Sequence, residues 1–164
     1  MPTDPLVYFC LVAGLSSALV AGVFQSFSDF VMQGLTAVRP ASGAEAMRMI
    51  NRTVFRSAFL AMFLALVPAS LMLAGYAWFT MSGAAQTWIV AGAMTYLPSV
   101  FLVTILGNVP RNEQLDRLDP HAPETERYWR RYGVEWTRLN HVRTLGSVVT
   151  GVCFLMAALA LSTA

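Results

Sequence analysis

The chain lacks lysine altogether and has few charged residues of any kind. Of its 164 residues, 12% are charged and 56% are hydrophobic, and the mean hydropathy is +0.55. Soluble domains average about 25% charged residues, so this composition excludes an ordinary soluble domain and predicts an integral membrane protein. The formal net charge is only +2, and the arginines are interleaved with acids, so no nucleic-acid partner is expected.

Motifs for metal, redox or phosphate chemistry are also missing. Cys10 and Cys153 are the only cysteines; they form no Cys-x-x-Cys redox pair, and their different estimated depths argue against a disulfide. His121 and His141 do not have the spacing of a metal site. A glycine-rich phosphate loop and a Gly-x-Ser-x-Gly motif are absent. We therefore expect no metal and no bound cofactor.

What the chain does have is long apolar runs. A helix needs about 20 apolar residues to cross a membrane, and four runs qualify: about 6–35, 57–79, 87–107 and 142–161. They predict an all-α fold, a transmembrane four-helix bundle in which residues 1–164 form a single domain. A tight helix contact is predicted by small residues at every fourth position of the first run, Gly14, Ala18, Gly22 and Ser26.

The distribution of arginine predicts the orientation in the membrane. All eleven arginines lie in residues 39–56 and 111–143. Basic loops stay in the cytoplasm, so both arginine-rich loops should be cytoplasmic and both termini should face the opposite side. We expect an integral membrane protein, with the lipid bilayer as its first partner.

Two helices should extend beyond the membrane on the cytoplasmic side. Ser42 and Glu45 have the spacing of a capping box, which predicts that helix two begins about ten residues before its apolar run. Pro123, followed by acidic residues, predicts the start of a helix that continues into the fourth run. Pro110 disfavours helical geometry at Val109, so helix three should end there.

Polar residues gather at the arginine-rich ends of these helices. Asp29 is the only acidic residue within the four runs, and an acid near a membrane core is a functional candidate by default. The Asn108–Asn112 segment and the start of the fourth run, with Trp136, Asn140 and His141, add amides, an indole and an imidazole. The same pattern also fits an ordinary membrane interface, with Asp29 paired to a nearby arginine such as Arg52 or Arg143, tryptophans in an aromatic belt and a structural histidine.

Four segments together have a recognisable order and spacing over nearly the whole chain. They are Gln25-Ser-Phe-Ser-Asp-Phe-Val-Met-Gln-Gly-Leu35, Met47-x-x-x-Asn51, Asn108-Val-Pro-Arg-Asn112-x-x-Leu115 and Trp129-x-x-Tyr132-x-x-x-Trp136-Thr-x-x-Asn140-His141-x-Arg143-Thr144. The chain therefore closely resembles the anthrone-oxygenase-like family of small four-span membrane proteins. Fungal members of that family oxidise an anthrone to an anthraquinone with dioxygen in polyketide pathways, whereas most bacterial members are known only as a domain of unknown function.

The resemblance implies a membrane-embedded enzyme that oxidises a planar phenolic or anthrone-type substrate with dioxygen. A base would remove a proton to give a carbanion, and no cofactor would be needed. His141 is the first candidate for the base and Asp29 the second. Substrate binding is expected from the remaining polar and aromatic residues, which should converge with them on one pocket: Gln25, Asn51, Asn108, Asn112, Trp136, Asn140 and Arg143.

Two other functions stay open at this point. A small membrane transporter would use Asp29 as its proton site, although such carriers normally place the acid near the middle of the membrane. A binding or scaffold protein without catalysis would use the arginine-rich face to hold a partner. The substrate is expected to be a hydrophobic aromatic small molecule, and a homo-oligomer is compatible with the sequence.

Overall fold

Five helices make up nearly all of the computed structural model, which describes residues 4–119 and 122–163. They are α1 (Pro5–Ala37), α2 (Pro40–Thr53), α3 (Ala58–Thr80), α4 (Ala84–Arg117) and α5 (Pro123–Ser162). The described residues contain no strand. Helices α1, α3, α4 and α5 are long and apolar enough to cross a membrane. The predicted all-α membrane bundle is therefore confirmed, and each predicted apolar run lies in one of these four helices.

Helix α5 organises the bundle. It packs most extensively against α1 and then against α4, while α3 closes the ring by packing against α4 and α1. One core cluster, with Phe63, Tyr96 and Phe154, fills most of the length of the four long helices. A second cluster, with Met47 and Trp129, lies where α2 covers the end of the bundle that carries both arginine-rich segments. We refer to this end as the arginine-rich end.

Helix α2 is a separate helix, not a continuous extension of α3. The predicted capping box is wrong, because the helix begins at Pro40 with Arg39 as its N-cap, and proline suits the first turn, where no backbone donor is needed. A short 3₁₀ turn, Val54–Arg56, and an extended residue, Ser57, then separate α2 from α3. The Ser57 hydroxyl accepts a hydrogen bond from the Leu60 amide at 3.2 Å and so caps α3.

Helix α4 does not end at Val109, contrary to the prediction from Pro110. Val109 is helical, with φ −60° and ψ −49°, and the helix continues to Arg117. A π-helical turn, Thr104–Asn108, immediately precedes the proline. A proline inside a helix leaves one carbonyl without its donor and needs room for its ring, and a wider π turn can provide that room. The Arg111 guanidinium also donates a hydrogen bond to the Gly107 carbonyl at 2.9 Å.

Helix α5 is one uninterrupted helix of 40 residues, and it begins at Pro123 as predicted. At 1.5 Å per residue it is about 60 Å long, so its first half extends beyond the apolar segment. The predicted small-residue contact is confirmed at Gly14, where an added Cβ would lie 3.2 Å from the Gly151 carbonyl oxygen. It does not extend to Gly22, which has open space around it. Cys10 and Cys153 are both buried and free.

Candidate functional site

A row of buried side chains runs along α5 at the arginine-rich end. Its members recur every third or fourth residue, so they share one face of the helix: Trp129, Tyr132, Trp136, Asn140 and Arg143. The rings stack in sequence, with centroid distances of 5.4 Å from Trp129 to Tyr132 and 6.4 Å from Tyr132 to Trp136. We call these five residues the α5 stripe.

Asn140 joins the α5 stripe to α1. Its side chain is 0% exposed, and its Nδ2 donates hydrogen bonds of 2.6 Å to the Phe24 carbonyl and to the Ser28 hydroxyl. Its Oδ1 accepts a hydrogen bond of 2.6 Å from Arg143 Nη2. Ser28 belongs to a π-helical turn of α1, Phe27–Val31, and such turns are frequent at functional sites.

The Arg143 guanidinium is buried between aromatic rings. Its carbon atom lies 4.3 Å from the centre of the Phe24 ring and 5.0 Å from that of Trp136. Besides Asn140, Arg143 contacts the Thr104 hydroxyl at 3.5 Å. These neutral partners hold the cation by cation–π attraction and hydrogen bonding, but none of them carries a compensating negative charge.

Arg143 therefore differs from the other buried groups in its electrostatics. Among the described residues it has no ion pair, and its Nε has no hydrogen-bond partner. A buried charge without a counter-ion is costly, and a charged group at membrane depth usually marks a functional site. The arrangement suits a negatively charged or strongly polarised oxygen as a partner.

Two amides of α4 contact the other side of the α5 stripe. Asn112 Oδ1 accepts hydrogen bonds from the Tyr132 hydroxyl at 2.8 Å and from Trp136 Nε1 at 3.0 Å. Burial raises the pKa of the Tyr132 phenol, which lies well before the apolar part of α5, so this group stays protonated and acts as a donor. Asn108 Nδ2 donates to the Trp136 carbonyl at 3.2 Å, and its Oδ1 has no partner.

Helix α2 adds Asn51 to the same cluster. The Asn51 amide lies beside the Tyr132 phenol, but its buried Nδ2 makes no hydrogen bond of normal geometry. The cluster thus contains three unpartnered donors and one unpartnered acceptor: Asn51 Nδ2, Trp129 Nε1, Arg143 Nε and Asn108 Oδ1. Buried polar atoms are rarely left without partners, so these four atoms are the groups of the cluster that are available to bind a polar molecule.

The structure brings together six of the nine predicted site residues and leaves three outside. The six are Asn51, Asn108, Asn112, Trp136, Asn140 and Arg143, which we call the polar cluster together with Trp129 and Tyr132. Gln25, Asp29 and His141 are exposed, so the expected convergence of all nine on one pocket does not occur. Each of the three follows an inward-facing residue by one position, which turns its side chain about 100° away from the bundle interior.

Asp29 and His141 nevertheless lie on the same side of the α1–α5 contact. The side chains of Ser28 and Asn140 meet at this contact. Because α1 and α5 are antiparallel, the next residue along each helix, Asp29 or His141, points to the same side of the contact.

The suggested pairing of Asp29 with Arg52 or Arg143 is wrong, because Arg52 pairs with Asp116 at 2.8 Å and Arg143 has no acidic partner in the described residues. No group of three or more potential metal ligands occurs in the described residues, and His121 lies outside them.

Sequence reasoning missed several contacts of the cluster. Phe24 and Thr104 contact Arg143, and Ser28 contacts Asn140; none of the three stands out by residue type. Arg48 is also buried, with only 7% of it exposed. The sequence did indicate this burial, because Arg48 follows Met47 and lies one helical turn after Ala44 on the apolar face of α2.

Four membrane-compatible helices around a buried polar cluster define a small helical-bundle integral membrane protein. Within that class, the family model described as anthrone oxygenase matches residues 52–153, well over half of the chain. The chain therefore belongs to the anthrone oxygenase family. The match covers the α4 amides and the α5 stripe, but it does not reach Asp29. Comparisons with curated proteins and with solved structures gave no match.

Proposed function

We propose that this protein is a membrane-embedded oxygenase that oxidises a planar phenolic or anthrone-type molecule with dioxygen. The observation that carries the proposal is Arg143, a buried guanidinium with an unpartnered Nε and no carboxylate partner among the described residues. Membership of the anthrone oxygenase family supports the reaction class. Arg143 would stabilise the negative charge that forms on the substrate oxygen during deprotonation.

The chemistry balances with dioxygen as the only co-reactant. A base removes one proton from the methylene carbon opposite the ketone, which gives a carbanion whose charge is shared with the ketone oxygen. The carbanion transfers an electron to dioxygen, and the resulting radical pair combines to form a carbon–oxygen bond. Loss of the second methylene proton and cleavage of the O–O bond then give the new carbonyl and one water molecule. Because the carbanion reacts with dioxygen directly, the proposal needs no cofactor.

The polar cluster would provide most of the binding in this scheme. Asn51, Asn108 and Asn112 would orient the substrate oxygens together with the guanidinium, and Trp136 would form an aromatic wall. The substrate would bind beside Arg143, where α1, α4 and α5 meet. Its ketone oxygen would face Arg143, and its acidic C–H would face the side of the α1–α5 contact on which Asp29 and His141 lie.

His141 and Asp29 are the proposed bases because both lie on that side of the α1–α5 contact, where the acidic C–H would be. His141 is our first choice, because histidine is the side chain that most often acts as a general base. Asp29 is the second, and Gln25, one turn before it on the same face of α1, would assist binding. A base at the edge of the bundle could also exchange its proton with water.

Oxygen consumption by the purified protein in lipid nanodiscs, with anthrone as the substrate, tests the proposal. His141→Ala should lower turnover by about 10² to 10⁴, the usual range for a general base. Arg143→Met should lower it by about 10² to 10³, as expected for one charge-stabilising donor. Arg138→Met provides the matched control, because Arg138 is exposed on the same helix, and its activity should be unchanged.

Two results would decide against parts of this scheme. If Asp29→Asn abolishes turnover while His141→Ala does not, Asp29 is the base. If turnover requires added metal, haem or flavin, the cofactor-free scheme is rejected.

A binding protein without catalysis is the second candidate function. It is favoured by the close packing of the aromatic rings along the α5 stripe. Saturable binding of anthrone without oxygen consumption would support this second function.

A further inference from the structure

Asn140 contacts Arg143 directly but takes no part in the proposed reaction. The two residues lie three positions apart on α5, so they share one face of the helix, and both are buried. A buried amide at this place could either bind the substrate or hold Arg143 in position. The hydrogen bonds of the two side chains distinguish between these roles.

Both N–H groups of the Asn140 amide are already used within the protein. Nδ2 donates to the Phe24 carbonyl and to the Ser28 hydroxyl, each at 2.6 Å. An amide nitrogen has two protons to donate, so Asn140 has no donor left for the oxygen of a bound molecule. In this respect Asn140 differs from Asn51, whose buried Nδ2 has no partner.

The neighbours of Asn140 also determine which way its amide points. The Phe24 carbonyl can only accept a hydrogen bond, and the Arg143 guanidinium can only donate. The amide nitrogen must therefore face α1, and Oδ1 must face Arg143, whose Nη2 donates to it at 2.6 Å. The Phe24 ring also lies 4.3 Å from the guanidinium carbon. Helix α1 thus orients the amide, and the amide in turn orients the guanidinium.

Asn140 provides the stronger of the two hydrogen-bond contacts of Arg143. The other acceptor, the Thr104 hydroxyl, lies 3.5 Å from Nη1, beyond the usual range of about 2.7–3.2 Å for such bonds. The orientation of the guanidinium therefore depends mainly on Asn140. Because the amide is neutral, it holds the cation without cancelling its charge, as a carboxylate in the same place would.

We propose that Asn140 is a positioning residue, which holds the Arg143 guanidinium in place and does not itself contact the substrate. Nη1 and Nη2 face Thr104 and Asn140, so Nε is the guanidinium nitrogen that remains for a substrate oxygen. The effect of this positioning on turnover rests on the proposed function. The positioning itself can be measured without any substrate.

NMR of the protein with isotope-labelled arginine in nanodiscs tests the positioning directly. A guanidinium held by hydrogen bonds rotates slowly about its Cζ–Nε bond and gives separate signals for its two Nη groups, whereas a free one gives an averaged signal. Arg143→Met identifies the Arg143 signals by their loss. They should be separate in the wild type and averaged in Asn140→Leu, which lacks the acceptor. They should stay separate in Asn140→Asp, which retains it, and in Ser28→Ala, in which the Phe24 carbonyl still orients the amide.

Arg48 provides an internal control in the same spectra. Its guanidinium donates to two backbone carbonyls at the end of α4 and does not contact Asn140, so its signals should be separate in every variant. Arg143 signals that stay separate in Asn140→Leu would reject the proposal. Averaging of the Arg48 signals in the same variant would also reject it, because Asn140 would then support the bundle as a whole. Averaging of the Arg143 signals in Asn140→Asp would show that the acceptor does not hold the guanidinium.

Oxygen consumption with anthrone then measures what the positioning contributes to turnover. Asn140→Leu should lower kcat about tenfold to a hundredfold with little change in KM, since it loosens a group that acts on the developing charge. In the Arg143→Met background the same change should have no further effect, because Asn140 acts through Arg143. An equal loss in both backgrounds would mean that Asn140 contacts the substrate itself, and the proposal would be wrong. Absence of turnover in the wild type would reject the proposed function, and the NMR spectra alone would then decide the role of Asn140.

Discussion

At the scale of single residues, the two buried arginines, Arg48 and Arg143, differ in their hydrogen bonding. Arg48 Nε and Nη2 donate hydrogen bonds of 2.9 and 2.7 Å to the carbonyls of Leu115 and Leu118. These carbonyls lie at the C-terminal end of α4, where the helix dipole favours a positive charge. Arg143 instead bonds only to side-chain oxygens, those of Asn140 and Thr104, and its Nε has no partner among the described residues. The contrast indicates that Arg48 stabilises the fold, whereas Arg143 is the better candidate for ligand binding.

Replacing Arg48 should therefore reduce stability. Arg48→Met removes two charge-assisted hydrogen bonds, each of which contributes about 1.5–3 kcal/mol, so the free energy of unfolding should fall by about 3 kcal/mol or more. Arg52→Met is the control on the same helix. Its ion pair with Asp116 is 64% and 48% exposed, and exposed pairs contribute less than about 1 kcal/mol. Unfolding of the detergent-purified proteins, followed by circular dichroism, measures both; equal losses would show that Arg48 has no special role.

At the scale of helices, the junction between α1 and α2 positions Asn51 against α5. Gly43 of α2 packs so closely on α1 that an added Cβ would overlap the Leu35 carbonyl oxygen, and it would lie 3.0 Å from the Trp129 ring. A backbone oxygen cannot move aside as the end of a flexible side chain can. The close approach of α2 to the α5 stripe therefore depends on the absence of a side chain at residue 43.

Gly43→Ala should force α2 away from the bundle. We expect a loss of about 1–3 kcal/mol in unfolding free energy, as for other overpacked sites. Gly22→Ala is the matched control in α1, because nothing lies within 4 Å of its added Cβ; this change should be neutral or stabilise the helix by up to about 1 kcal/mol. If Gly43→Ala is as stable as the wild type, α2 is not held in the described position.

The helices differ in how far the sequence predicts them. The four apolar runs and the start of α5 at Pro123 follow from hydropathy and proline position, so they could be predicted. The break at Ser57 and the π turns around Ser28 and before Pro110 could not, because they depend on contacts with neighbouring helices rather than on local pattern. The same limit applies to the site: residue type identified Asn140 and Arg143, but not their contacts with Phe24.

At the scale of the whole molecule, the polar cluster lies at one end of the bundle. This is the arginine-rich end, where α2 and the first half of α5 add polar surface. The first core cluster, which is apolar, fills most of the length of the four long helices. The polar groups that could bind a ligand oxygen therefore lie at one end of the bundle and not along its whole length.

The orientation of the bundle decides which compartment the polar cluster faces. Every arginine lies in residues 39–56 or 111–143, and basic residues near membrane helices are retained in the cytoplasm. The turn between α3 and α4 has no basic residue, and Trp78 and Trp88 flank it as interfacial tryptophans do. We therefore predict that the arginine-rich end is cytoplasmic and that both termini face the opposite side of the bacterial inner membrane.

Cysteine labelling in intact cells checks this prediction. A cysteine at Ser82, in the turn between α3 and α4, should react with a membrane-impermeant maleimide added from outside. A cysteine at Ala122, just before α5, should react only after the cells are opened. The native Cys10 and Cys153 should contribute little background, because both are buried. Labelling of Ala122→Cys in intact cells would invert the topology and place the polar cluster, which includes Arg143, on the outer side of the membrane.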